Sequence, residues 1–115
     1  MRVIIAGSRG ITKLSTIERA IKESEFNITT VVSGTARGVD RLGEEWAAKN
    51  NVKVARFPAE WDKYGKSAGY KRNAVMSENA DALIAIRLDN SKGTTHMIHI
   101  ANKKGLLVYV LELSS

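Results

Sequence analysis

Three short glycine-containing segments, residues 7–10, 33–38 and 91–95, carry the residue types best suited to binding an anion. Glycine allows a positive φ and a close approach by a ligand, while Ser and Thr hydroxyls and Arg or Lys side chains suit phosphate. One such segment is ordinary, but three of them, each with a cation, predict a phosphate-binding site. Its candidate residues are Gly7, Ser8, Arg9, Ser33, Gly34, Thr35, Arg37, Gly38, Lys92, Gly93, Thr94 and Thr95.

Several other polar residues are candidates for the same site. Arg72 and Asn73 extend the ligand-binding set, since the arginine could bind a phosphate and the asparagine a ribose or a base edge. The alternative for this pair is an exposed arginine beside a local hydrogen bond. His96 and His99 are three residues apart, but a zinc site needs further ligands and none is evident. We therefore predict no metal site and no cofactor.

Asp40 and Glu44 are the catalytic candidates. They are four residues apart in a segment predicted to be helical, so they share a face, and a carboxylate pair could perform acid–base chemistry on a glycosidic bond. The structural alternative is favoured for both, because acidic residues suit the first turns of a helix. Asp40 could then hold the turn that contains Arg37, which also makes Asp40 a candidate ligand-binding residue.

The elements that must position these residues alternate between strand and helix, which predicts a parallel sheet. We expect one domain over residues 1–115, a Rossmann-like three-layer α/β/α sandwich whose five strands have the order 3-2-1-4-5. Its ligand site would lie where the strand order reverses, between the first and fourth strands. The predicted strands are residues 2–6, 30–33, 52–57, 82–86 and 106–111, and the predicted helices are residues 14–24, 39–50, 68–79 and 94–104.

We expect the aromatic and methionine side chains outside the three glycine-containing segments mainly to pack against the rest of the protein. Residues 58–67 are predicted to be a long irregular connection at the binding edge, whose two aromatics, Trp61 and Tyr64, pack while its backbone shapes the pocket. Trp46, Met76 and Met97 are predicted core residues, and the alternative role of Thr94 or Thr95 is a helix N-cap. No clear run of surface aromatics for stacking bases is visible.

Bulk properties favour an anionic partner. The chain of 115 residues has a formal net charge of +6, and it contains no Cys, which excludes disulfides and thiolate sites. No apolar run approaches the roughly 20 residues that span a bilayer, and no signal peptide is recognisable. We therefore expect a cytoplasmic protein that binds no membrane.

Standard nucleotide-binding motifs are absent, but a family resemblance is specific. The glycines match neither the G-x-G-x-x-G fingerprint nor a Walker A loop, so NAD-dependent hydride transfer and P-loop hydrolysis are unsupported. Residues 32–40, VSGTARGVD, resemble the SGxARGxD signature of the SLOG superfamily. Residues 7–9, 33–47, 57–73 and 91–98 are similar to the pattern of its YspA/YpsA-related branch of bacterial and phage proteins.

The resemblance implies a Rossmann-like fold and a nucleotide-class ligand. Relatives in the superfamily include the DNA-processing protein DprA and the LOG-type nucleotide phosphoribohydrolases, and SLOG proteins often self-associate, so a homo-oligomer is one expected partner state. The pattern of the hydrolases looks like PGGxGTxxE, with the glutamate placed for catalysis. Aligning Gly93-Thr94 with its GT puts Met97 at that position, and methionine cannot transfer a proton.

Three functions remain open from the sequence. The leading hypothesis is a module that binds a nucleotide or an ADP-ribose-like ligand, as sensor, carrier or sequestering protein. The second is a nucleotide N-glycosidase or phosphoribohydrolase that uses Asp40 and Glu44. The third is a protein that binds single-stranded nucleic acid, which the positive charge favours.

Overall fold

The computed structural model describes residues 1–114. Its strands are β1 (Arg2–Gly7), β2 (Thr30–Ser33), β3 (Lys53–Arg56), β4 (Ala82–Leu88) and β5 (Leu107–Leu113). Its helices are α1 (Leu14–Ser24), α2 (Val39–Lys49), α3 (Trp61–Tyr64), α4 (Ala68–Glu78) and α5 (Lys92–Lys103). The strands form one parallel sheet with the order β3-β2-β1-β4-β5. The predicted Rossmann-like fold and strand order are therefore confirmed.

The central strand β1 and its neighbour β4 are buried because helices cover both faces of the sheet. Successive strand residues point to opposite faces, so Val3 and Ile5 pack with residues of α1 and α2. Ile4 and Ala6 instead pack with residues of α4 and α5, including the predicted core residues Met76 and Met97. Trp46 is only partly buried, against the first of these clusters.

The predicted end of β4 and the predicted start of α5 were wrong. Strand pairing and helical hydrogen bonding both continue beyond the apolar runs from which the boundaries were predicted. Strand β4 extends to Leu88, which still pairs with Leu113 of β5. Helix α5 begins at Lys92 rather than Thr94, because Ser91 has non-helical backbone angles and its carbonyl accepts from the Thr95 amide. Thr94 and Thr95 are consequently residues of the first helical turn and not N-caps.

The connection after β3 was predicted to be irregular, and this was wrong. It contains the single turn α3 and a 3₁₀ turn at Gly65–Ser67, which lead directly into α4. Its aromatics are also more exposed than expected, since Trp61 is 51% and Tyr64 38% exposed. Within residues 1–114, no helix is both long enough and apolar enough to cross a membrane.

The end of β1 approaches its neighbours so closely that only glycine fits. A Cβ atom on Gly7 would overlap the carbonyl oxygen of Ile86 and lie 2.8 Å from Val39 Cγ2. Gly38 has a φ of 76°, and a Cβ there would lie 2.5 Å from the carbonyl oxygen of Ser8. These two glycines let the first turn sit between β4 and the start of α2.

Substitution of Gly7 by alanine tests this close approach. We expect Gly7→Ala to lower the free energy of unfolding by about 1–3 kcal/mol, the usual cost of an overpacked site. Gly93→Ala is the matched control, because a Cβ on Gly93 would meet nothing within 4 Å and alanine is the better helix former. Urea denaturation checks both variants, and equal stability of Gly7→Ala and wild type would contradict the interpretation.

Candidate functional site

A cavity of about 400 Å³ opens at the carboxyl edge of the sheet. Ala6 and Gly7 at the end of β1 contribute to it, together with α4 and the start of α5. It therefore lies over the carboxyl end of β1 and beside Ser91, which follows β4, where the strand order reverses, as expected for this class of sheet. Its lining residues are Ala6, Gly7, Arg9, Ala36, Asp40, Trp61, Lys66, Gly69, Tyr70, Arg72, Asn73, Met76, Ser91, Gly93, Thr94 and Met97.

The first turn offers its arginine, but its serine is already engaged. The buried Ser8 hydroxyl accepts a hydrogen bond from the Leu88 amide at 2.9 Å, and the Ser8 amide donates to the Ile86 carbonyl at 3.1 Å. These bonds join the turn to β4, so Ser8 holds the turn in place and does not line the cavity. Arg9 is exposed and lines the cavity, and it has no hydrogen-bond or ion-pair partner within residues 1–114.

The second turn is held by internal hydrogen bonds. The Thr35 amide donates to Ser33 Oγ at 3.1 Å, and the Ala36 amide donates to Asp40 Oδ2 at 3.3 Å. Thr35 itself has a φ of 64°, which for a β-branched residue stores strain of about 1–3 kcal/mol. Ser33 and Gly38 line no part of the cavity, so the turn presents Gly34, Thr35 and Arg37 to an adjoining cleft instead.

The third turn presents the start of α5. Ser91, Gly93 and Thr94 line the cavity, and the first amide groups of a helix have no intrahelical partner and carry partial positive charge. Lys92 and Thr95 face away into a separate surface depression that His96 and His99 also line. The Thr95 hydroxyl donates to the Ser91 carbonyl at 2.8 Å. Lys92 and Thr95 are therefore not brought together with the other candidates.

A chain of polar contacts links α4 to the second turn and to α5. Arg72 Nη1 donates to the Gly34 carbonyl at 2.6 Å, and Arg72 Nε donates to Asn73 Oδ1 at 3.1 Å. The Asn73 amide nitrogen, which must be the donor, then lies 3.2 Å from His96 Nδ1. Burial and the nearby His99 lower the pKa of His96, which favours a neutral ring with its proton on Nε2.

Asp40 is a buried carboxyl group in the cavity wall. It is 5% exposed, and burial raises its pKa from 3.8 to about 6, against the opposing effects of the Ala36 amide and the positive charge of Arg72. Burial also lowers the pKa of Arg72, which Asp40 opposes and Arg9 reinforces. Asp40 therefore holds the second turn, as the structural alternative expected, while its ionisation remains poised near neutral pH.

The other catalytic candidate is engaged elsewhere. Glu44 Oε2 accepts from the Ser33 hydroxyl at 2.6 Å, and Glu44 Oε1 accepts from Arg56 Nε at 3.0 Å. Glu44 does not line the cavity, so the two carboxylates of α2 do not form a pair there. Among residues 1–114, no group of three His, Asp or Glu side chains could hold a metal ion.

Several lining residues were not among the sequence candidates. The start of α4 and the 3₁₀ turn before it contribute Lys66, Gly69 and Tyr70, and Trp61 stands nearby, with its ring 3.5 Å from a Cβ placed on Gly69. These residues could have been found from the sequence, because the first turn of any helix that follows a strand of a parallel sheet lies at the binding edge. Met97, at the expected glutamate position, also lines the cavity.

Comparison with known proteins identifies the family. The YspA, cpYpsA-related SLOG family matches residues 1–64 of the chain. The chain belongs to this SLOG family. It is also 35% identical over 117 residues to the "Gene 61 protein" of Mycobacterium phage D29, with 93% of each chain covered.

A solved structure supports the fold. The SLOG chain matches the X-ray structure of DNA processing protein A (DprA) from Streptococcus pneumoniae with a TM-score of 0.75. The match covers 95% of this chain but only 49% of DprA, so the SLOG chain spans about half the length of that protein. At 20% identity, the likeness establishes a shared fold.

The raised pKa of Asp40 predicts how stability depends on pH. The folded state favours the protonated carboxyl, so this contribution is fully present below about pH 3.8 and is lost as the pH rises through about 6. The difference corresponds to about 3 kcal/mol. Because asparagine cannot ionise, we expect Asp40→Asn to gain stability relative to wild type by up to this amount between pH 4 and pH 7.

Urea denaturation of both proteins at several pH values measures this difference, and Glu78→Gln, which changes an exposed carboxylate on α4, is the control. A difference between Asp40→Asn and wild type that stays constant with pH would contradict the assignment.

Proposed function

We propose that this SLOG protein binds a nucleotide or a nucleotide derivative in the cavity at the carboxyl end of β1. The observation that carries the proposal is a cavity that combines cationic side chains, the start of α5 and two aromatic rings. The family and the fold are consistent with a function related to nucleotides or nucleic acids. A volume of about 400 Å³ lies within the range of small-molecule sites.

Two kinds of lining suggest how such a ligand is held. A phosphate group suits the rim, where Arg9 and Lys66 have no other partner within residues 1–114 and the amides at the start of α5 are available. The nucleoside suits the interior, where Met76 and Met97 provide an apolar wall and Tyr70 an aromatic edge. The negatively charged phosphate then lies among positive groups, and the nucleoside lies against apolar and aromatic side chains.

Nucleotide hydrolysis receives less support than binding. Asp40 is the one acidic residue that lines the cavity in the described chain, and Glu44 is bound to Ser33 and Arg56. Met97 lines the cavity without any group that could transfer a proton. A two-carboxylate mechanism therefore lacks its second group, and we favour a sensor, carrier or sequestering role.

Single-stranded nucleic acid is the second candidate ligand, because the structure exposes aromatics that the sequence did not reveal as a group. Trp61 is 51%, Tyr64 38% and Tyr70 49% exposed. Lys63 and Lys71 lie 5.0 and 4.7 Å from the centre of the Tyr64 ring. Exposed rings beside cations are the usual means of stacking and neutralising a single strand.

A thermal-shift screen tests the leading proposal. We expect a saturable rise in Tm with one family of nucleotides, among mono-, di- and triphosphates, NAD, ADP-ribose and cyclic nucleotides. A ligand at about 100 times its Kd adds roughly 2.7 kcal/mol, which is several degrees for a chain of this size. Arg9→Ala should weaken binding about tenfold or more, because it removes a charged partner of the phosphate.

The matched control is Lys103→Ala, which removes one positive charge at the opposite end of α5 and should bind as wild type does. Binding that is equal in Arg9→Ala and wild type would contradict the proposed site. A shift produced by a short oligonucleotide and by no free nucleotide would instead favour the nucleic-acid candidate, with an affinity that falls steeply with salt.

A further inference from the structure

A second cleft adjoins the cavity on the side of β2. It has a volume of about 370 Å³ and is lined by four arginines, Arg9, Arg37, Arg41 and Arg72. We propose that this arginine cleft binds the outer phosphates of a phosphoanhydride-linked nucleotide, such as a nucleoside triphosphate, whose nucleoside occupies the cavity. The inference rests on the proposed function and specifies the class of its ligand.

The charge of the arginine cleft is unbalanced within the described chain. No acidic residue lines it; the remaining lining residues are Gly34, Thr35, Ala36, Pro58, Ala59 and Trp61. Four like charges around one small volume repel one another, and Asp40, which opposes the charge of Arg72, lies in the wall of the neighbouring cavity. A polyanion is the ligand that would remove this repulsion.

The arginine side chains differ in how free they are to bind a ligand. Arg72 is held by Gly34 and Asn73, whereas Arg37 is exposed and has no hydrogen bond or ion pair within residues 1–114. Arg41 makes one long bond, from Nε to the Thr35 carbonyl at 3.4 Å, so its terminal nitrogens remain available. Guanidinium groups bind phosphate oxygens in pairs.

Two backbone amides of the second turn are already engaged within the protein. The amides of Thr35 and Ala36 already donate to Ser33 and Asp40. The guanidinium groups are therefore the main candidates for recognition of an anion in the arginine cleft.

The cavity and the arginine cleft form one continuous binding surface. They share the lining residues Arg9, Ala36, Trp61 and Arg72. A ligand that spans the cavity and the arginine cleft must carry negative charge where the two meet and also further into the cleft. A nucleoside monophosphate carries charge at only one of these places. The combined space suits a single nucleotide with a phosphate chain better than a long strand, because each volume is that of a small-molecule site.

Isothermal titration with AMP, ATP and inorganic tripolyphosphate tests the inference. We expect wild type to bind ATP about tenfold more tightly than AMP, as one or more charged hydrogen bonds would give. The double variant Arg37→Ala/Arg41→Ala should bring the two affinities within about twofold while binding AMP as wild type does. Lys103→Ala is the control for charge, and the single variant Arg37→Ala, which breaks no contact, covers any instability of the double variant.

The outcomes separate this inference from the proposed function. If AMP and ATP bind equally and both arginine variants leave them unchanged, the inference is overturned while nucleotide binding stands. If only tripolyphosphate binds, and the double variant abolishes its binding, the arginine cleft stands and the nucleotide proposal fails. If neither nucleotide nor tripolyphosphate binds, both fail. If a twelve-residue oligothymidine binds more tightly than ATP and the double variant loses it, the cleft belongs to a nucleic-acid backbone and the inference is overturned.

Discussion

The hydrogen bond from Arg72 to the Gly34 carbonyl is the interaction on which the candidate site depends. It ties α4 to the turn after β2 at 2.6 Å and places a guanidinium at the boundary between the cavity and the arginine cleft. The same side chain orients Asn73, whose amide then contacts His96 on α5. Elements from both halves of the sheet are thereby held around one opening.

The contact between Arg72 and the second turn requires glycine at position 34. A Cβ on Gly34 would lie 2.6 Å from Arg72 Nη1 and 2.8 Å from Asp40 Oδ2. The sequence suggested that the glycine makes room for a ligand, whereas the structure fills that room with the side chains of Arg72 and Asp40. Gly7 and Gly38 likewise make room for neighbouring strands and turns. The glycines of the first two turns therefore shape the site indirectly.

Chain topology could be predicted from the sequence, whereas the outcome of competition between side chains largely could not. Parallel strands bring their carboxyl ends to one edge, so the convergence of the three turns could be predicted. Whether Ser8 or Ser33 faces a ligand depends on partners far away in the chain, such as the Leu88 amide, 80 residues away, which donates to Ser8. A ligand-binding role for Lys92 and Thr95 stays a prediction, because α5 begins at Lys92, earlier than expected, and both residues line a separate depression rather than the cavity.

Asp40 gives the site a property that neither the fold nor the positive charge supplies. A buried carboxylate beside an anion site opposes anion binding when it is ionised, and burial already raises the pKa of this group to about 6. An anion bound at Arg9 or Arg72 adds a like charge, which raises the pKa of Asp40 further. Ligand binding and proton uptake at Asp40 are then coupled, and by linkage each favours the other. Arg72 limits the effect, because its own positive charge stabilises the ionised carboxylate, so the strength of the coupling reflects the balance between Arg72 and the bound anion.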